Sequence, residues 1–286
     1  MRTRFAWTLL LVWMAVAGAA SLAAQADDLA RSGRDILARS QAAVVTVKLA
    51  IKQSMSMGGR ENKSETKTQT TGTVIDPSGL TVVSLATTDP SSTVKDIYAR
   101  TIAARGGDMS QFKFDSELND VKIVLPDGTE IPAEVVLRDK DLDLAYLRPS
   151  DKPAKPLAFI DLTKDATAQI LDQVIVVNRL SQAADRAAAV SIGRIEGIIE
   201  KPRTFYLLGQ SMWGYSLGAP VFATDGKLVG IVLLRSAKTQ TDQDSGFVFS
   251  NLNQAGMMPV ILPASDIVDG AKQARDAKEP YPSRDP

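Results

Sequence analysis

The 286-residue chain contains no cysteine and no histidine. Without imidazole or thiolate there is no Ser-His-Asp triad and no Cys-His nucleophile, and the ordinary zinc, haem and iron–sulfur ligand sets are also missing. Carboxylates, lysine, hydroxyls and the tyrosine phenol are what remain for catalysis, and neither metal nor cofactor is expected. Charge of one sign is lacking too: 33 Lys+Arg balance 33 Asp+Glu. A nucleic-acid groove needs a marked basic excess, so nucleic acid is not an expected partner. At 44% hydrophobic residues the chain reads as a globular protein whose own core supplies its stability without disulfides.

The N-terminus reads as an address. Met1-Arg2-Thr3-Arg4 forms a basic start, Phe5 to Ala20 an apolar run, and Ala24-Gln25-Ala26 an A-x-A exit before Asp27-Asp28. This is the pattern of a secretory signal peptide over residues 1–26, cleaved after Ala26, with the mature protein extracytoplasmic, periplasmic or secreted. The other reading is a retained anchor, since Phe5 to Ala24 is just long enough to span a bilayer. After cleavage no stable membrane insertion is expected.

Residues 27–41 read as a short amphipathic helix, with Leu29, Ile36 and Leu37 at helical spacing. The texture then turns to short β-branched and apolar runs bounded by Gly, Pro, Asp or Asn. The first six are Val44 to Ile51, Thr71 to Ile75, Leu80 to Leu85, Val121 to Leu125, Ile131 to Leu137 and Leu144 to Leu147. The second six are Val174 to Val177, Ala189 to Ile199, Phe205 to Leu208, Pro220 to Ala223, Leu228 to Leu234 and Phe247 to Phe249. So many strands with few helices predict an all-β barrel or sandwich. Asp76-Pro77-Ser78-Gly79, Pro126-Asp127-Gly128 and Thr224-Asp225-Gly226 predict turns with glycine at positive φ. Lys52 to Gln69 reads as a mobile polar hairpin tip. Asp89 to Asp120 reads as a helical insertion followed by a flexible Gly106-Gly107 stretch. Ala264 to Ala277 predicts a closing helix, and 279–286 a flexible tail.

Three segments, in order, resemble the trypsin-like serine proteases of the high-temperature-requirement (HtrA-type) family. Gly72 to Val83 is similar to the family's strand, turn and strand leading to the catalytic His. Val121 to Val136, continuing through Asp141-Leu142-Asp143-Leu144-Ala145-Tyr146-Leu147, is similar to the segment with the catalytic Asp. Gly214-Tyr215-Ser216-Leu217-Gly218-Ala219-Pro220-Val221, with Gly226 to Ile231, resembles the nucleophile turn and its hairpin. Ile261-Leu262-Pro263-Ala264 is similar to the last strand. The resemblance implies a double six-stranded β-barrel with short terminal helices, spanning residues 42–278 with an insertion at 89–120. No following PDZ module is expected.

Position by position, the resemblance implies a degenerate triad. The His position falls on Ala86. Asp143 matches the Asp, whose family role is to orient and stabilise an imidazole that this chain lacks. Anchored on Pro220 the nucleophile position is Leu217; anchored on Ser216 one residue is inserted before the proline. Asp139 and Asp141 read as a charged loop rather than a Ca²⁺ site. The implied function is that of a pseudoprotease holding an extended peptide or partner protein in the old substrate cleft, with Trp213, Tyr215, Ser216 and Leu217 as binding residues. Two alternatives stand beside it: a hydrolase in which Lys122 or Lys227 activates Ser216, and a structural envelope protein.

Overall fold

The computed structural model describes residues 28–104, 106–209, 216–236 and 257–282. A helix at 28–40 leads into β1 (Val44–Met57), β2 (Arg60–Val74), β3 (Thr81–Ser84), β4 (Phe112–Val124), β5 (Glu130–Asp139) and β6 (Leu144–Pro149). The second half supplies β7 (Gln173–Arg179), β8 (Ala188–Ile199), β9 (Phe205–Leu208), β10 (Pro220–Ala223), β11 (Leu228–Ser236) and β12 (Met257–Pro263), then a helix at Ser265–Asp276. Each set of six closes into an antiparallel barrel, in the orders β1-β2-β3-β6-β5-β4 and β10-β11-β12-β9-β8-β7. The double six-stranded barrel implied by the resemblance is the fold.

The run Val174-Ile175-Val176-Val177 shows why the barrels stay together. Alternate side chains of a strand point to opposite faces. Val174 and Val176 join the interior of the second barrel, whereas Ile175 and Val177 join the cluster that continues into the first. All four are buried, each side chain contributing ~1.5–3 kcal/mol. Arg179, at the end of β7, reaches across the seam: its Nε and Nη2 donate to the Val44 carbonyl at 3.0 and 2.8 Å, and Nη2 also donates to the Gln41 carbonyl.

The turn glycines behave as the sequence predicts, with φ of 92° at Gly79 and 87° at both Gly128 and Gly226. Two segments differ from expectation. Lys52 to Gln69 is regular ladder: β1 and β2 pair without interruption from Val44↔Thr73 to Met57↔Arg60 around Gly58-Gly59. The insertion holds the expected helix (Ser91–Ala104), but strand resumes at Phe112, nine residues before Val121. β4 pairs with β1 out to Met57↔Phe112, so β2, β1 and β4 extend beyond the barrel as a three-stranded arm. The helix caps one face of this arm, with Tyr98 stacked on Phe112 at 4.4 Å between centroids. Asp89 locks the helix start to the sheet, accepting from Ser116 Oγ at 2.7 Å and pairing with Arg138 at 3.2 Å.

The C-terminal helix turns Ile267, Ala271 and Ala274 inward, one helical face at spacing i, i+4, i+7. It returns to the first barrel, where the buried Tyr146 hydroxyl donates to the Ile267 carbonyl at 3.0 Å. The tail is not loose as far as residue 282: Tyr281 N–H donates to the Val135 carbonyl at 2.7 Å, and Arg138 lies over the Tyr281 ring. The expected strand Phe247 to Phe249 lies outside the described residues.

Candidate functional site

Of the positions that the resemblance assigns to a triad, Ala86 and Asp143 touch at the seam between the barrels, and the turn holding Ser216 and Leu217 hydrogen-bonds across the same seam. Asp143 ends the turn between β5 and β6 with φ of 57°, a left-handed conformation that Asp tolerates better than most residues. That turn is organised by Asp139, whose Oδ1 accepts from the N–H groups of Asp141 and Leu142, both at 3.0 Å. Asp139 thus closes β5 and only Asp141 lies in the turn after it; no cluster fit for a metal occurs among the described residues.

The left-handed turn aims the Asp143 carboxylate into the seam. Oδ1 accepts from Ala86 N–H at 2.8 Å; Oδ2 accepts from Ser84 Oγ at 2.5 Å and from Leu234 N–H at 2.7 Å. Two donors come from the first barrel's β3 and the short helix Leu85–Thr88 after it, the third from β11 of the second barrel. Ala86, at the His position, therefore does touch Asp143, but through its backbone. Ser84 and Leu234 supply the hydrogen bonds to the other Asp143 oxygen.

Burial pushes the Asp143 carboxyl up to about 6 from an ordinary 3.8, against the pull of those three hydrogen bonds. Between pH ~4 and ~6 the folded protein keeps a proton that the unfolded chain has released, so this group makes stability fall as pH rises through that window. The fall is at most about 3 kcal/mol, because the residue as a whole is partly exposed. Other carboxylates act with the opposite sign and lower in pH. Hydrogen bonds from Thr163 to Asp161, and from Lys227 N–H to Asp225, hold them below the usual range. The advantage of wild type over Asp143→Asn in urea melts is expected to shrink between pH 4 and pH 6.5; a flat difference would reject this assignment.

The turn at Ser216 hangs on the same strand. Ala219 N–H donates to the Ser216 carbonyl at 3.1 Å, closing a turn with Gly218 at φ 88° in its third position, the type II pattern. Gly218 N–H donates to the Val232 carbonyl at 2.7 Å, two residues along β11 from Leu234. Across the seam, Thr73 Oγ1 donates to the Gly218 carbonyl at 2.7 Å and Thr70 Oγ1 to the Leu217 carbonyl at 3.4 Å. Ser216 N–H is itself spent on Asn178 Oδ1 at 3.3 Å. An oxyanion hole requires N–H groups aimed at the position where charge develops. Those of Ser216, Gly218 and Ala219 are all committed to protein acceptors.

The lysines considered as bases are poorly suited. Lys122 pairs with Glu130 at 3.2 Å and Lys227 with Asp225 at 3.3 Å, their side chains 38% and 58% exposed. A lysine acting as a base at neutral pH needs desolvation, which neither has. Trp213 and Tyr215 lie outside the described residues; Ser216 and Leu217 are half-buried beside Thr70 and Thr73. A cavity of about 740 Å³ at the β10–β11 turn, lined by Asp165, Asp172, Asp225 and Lys227 among others, shares no residue with the seam. Ser84, Asn178 and Leu234 were not legible as site residues: two act through small polar side chains, one through its backbone.

In comparison with known proteins, the family model described as a trypsin-like peptidase domain matches residues 70–231, more than half of the chain. The match runs from the inner half of β2 to the middle of β11 and includes Ala86, Asp143, Ser216 and Leu217. No curated protein matches the chain.

Proposed function

Because the chain belongs to the trypsin-like peptidase family, we propose that it is a degenerate, HtrA-type member, a pseudoprotease that binds rather than cuts. The observation that carries this reading is the occupancy of the Asp143 carboxylate. In a working triad the Asp holds an imidazole in the correct tautomer. Here Ala86, Ser84 and Leu234 occupy both oxygens, and the chain has no histidine to supply.

What a protease barrel keeps without its chemistry is strand edges. Extended peptides bind such edges by backbone hydrogen bonds, with alternate side chains entering pockets. The cleft of this proposal lies between the segment around Ala86 and the segment 213–218, with Trp213, Tyr215 and Leu217 proposed for apolar contacts and Ser216 for a polar one. We place the protein outside the cytoplasm, with residues 1–26 as its signal peptide, 27–41 as a helix and 42–278 as the peptidase-like unit. N-terminal sequencing that finds Ala26 removed supports the export reading; an intact Met1 in a membrane fraction overturns it.

The functional test is turnover beside binding. Casein and peptide-library hydrolysis are expected to stay at background for wild type, for Ser216→Ala and for Ala86→His, since the N–H groups of Ser216, Gly218 and Ala219 are committed to protein acceptors and form no oxyanion hole. Turnover that disappears in Ser216→Ala would overturn the assignment. Immobilised peptide libraries are expected to yield extended ligands whose binding weakens in Trp213→Ala with Tyr215→Ala at unchanged melting temperature. Loss of stability in that double variant, with no peptide bound by wild type, would leave a structural barrel instead.

A further inference from the structure

The three-stranded arm ends in an edge that no described residue pairs. The second neighbour of β2, β3, reaches only Thr73 and Val74, and Arg60 to Gln69 are exposed throughout. Both central residues of the Gly58-Gly59 turn have positive φ, 58° and 79°, the two-residue type I′ hairpin. In such a hairpin the flanking pair Met57↔Arg60 is hydrogen-bonded, and the pattern alternates from there. Even-numbered residues of this part of β2 therefore spend their N–H and C=O on β1. Glu61, Lys63, Glu65 and Lys67 point theirs outward.

The same four residues share one face of the strand, and their charges alternate in sign about Ser64. We propose that this edge is a self-recognition surface, pairing antiparallel with β2 of a second copy of the chain about a twofold axis at Ser64. In that register Glu61 faces the copy's Lys67 and Lys63 faces the copy's Glu65. Symmetry doubles each, giving four opposite-charge pairs with outward backbone groups facing outward backbone groups. A slip that moves the axis to Lys63 sets Lys63 against itself and Glu61 against Glu65. A slip to Glu65 sets Glu65 against itself and Lys63 against Lys67. Both neighbouring registers with matched backbone groups are repulsive.

The competing view is a guarded edge, on which charges deter pairing. Glu61 already has local partners of this kind, Lys63 Nζ at 3.3 Å and Ser54 Oγ at 2.9 Å. A guard of one sign repels every copy, whereas the alternating pattern repels the neighbouring registers and gives the register centred on Ser64 the most opposite-charge pairs. The edge from Glu61 to Lys67 is seven residues long, where a durable interface uses about 20–30 residues a side, so a weak dimer is expected.

Sedimentation velocity on the purified protein from ~10 μM to ~1 mM tests this. Wild type is expected to dimerise, less at 0.5 M salt than at 0.05 M. Glu61→Lys with Glu65→Lys makes the face all positive, and Lys63→Glu with Lys67→Glu makes it all negative. At ~3-fold per pair, each is expected to weaken self-association on the order of 100-fold. An equimolar mixture of the two is expected to restore the dimer, as is the fourfold swap that reverses every sign. Unchanged circular dichroism spectra show that each variant is folded. Wild type monomeric at ~1 mM, or both double variants dimerising as wild type does, overturns the proposal and leaves a guarded edge.

Discussion

Asp143→Ala is expected to lower the stability of the folded protein by about 3 kcal/mol at pH 7. Two half-buried donors at the seam, the N–H groups of Ala86 and Leu234, lose the carboxylate that accepts from them. An unsatisfied buried donor costs ~1–3 kcal/mol. The Ser84 hydroxyl can rotate to another partner and is left out of the sum. Alanine at φ of 57° adds ~1 kcal/mol that aspartate largely avoids. Against these stands relief from holding a desolvated charge, at most about 3 kcal/mol at neutral pH. For a chain of this size the net corresponds to roughly 6–12 °C in melting temperature. The loss should grow near pH 4.5, where wild-type Asp143 is protonated when folded and the relief disappears. Asn keeps the turn preference and one acceptor oxygen and should fall between the two. A melting temperature within about 2 °C of wild type for the alanine variant would reject the bridging role.

Gly218→Ala is expected to be the more damaging change, a loss of ~2–5 kcal/mol or failure to fold. A Cβ there would lie 2.1 Å from the Thr71 carbonyl oxygen and 3.1 Å from its carbon. These are backbone atoms of β2 and cannot rotate aside. The conformation at φ 88° costs a further ~1–2 kcal/mol for an L side chain, and a forced contact in a filled seam typically ~1–3 more. Thr73→Val, which removes only the hydrogen bond to the Gly218 carbonyl, should cost about 1 kcal/mol by the same melts. Equal stability of Gly218→Ala and wild type would mean that the two barrels do not meet at this glycine.

These two residues explain how the site could be read from sequence at all. Asp143 and Gly218 matched the family pattern, and both have structural duties that do not require chemistry: one joins three segments, the other permits close approach of the barrels. The strands were legible because most alternate or bury both faces, as in Val174 to Val177. The arm was not, since Arg60 to Gln69 is exposed on both faces and held by its ladder alone, which leaves no hydrophobic period to detect. Phe112 and Phe114 did carry such a period, hidden by the length of the insertion around them. Two of the three partners of Asp143 were beyond reach because a backbone N–H has no letter in a sequence.

The return of the C-terminal helix to the first barrel sets an order of events during synthesis. Residues 44–149 contain all six strands of that barrel, yet Ile267, Ala271 and Ala274 cover it only after residues 265–276 have been made. At ~5–20 residues per second the ribosome needs on the order of 10 s to cross the intervening stretch. During that interval the N-terminal half has its strands but not its cover, and Tyr146 has no carbonyl at Ile267 to bond. The half of the molecule made first is therefore the half completed last, and a nascent chain truncated before residue 265 should remain open to protease there even with every strand of its barrel present.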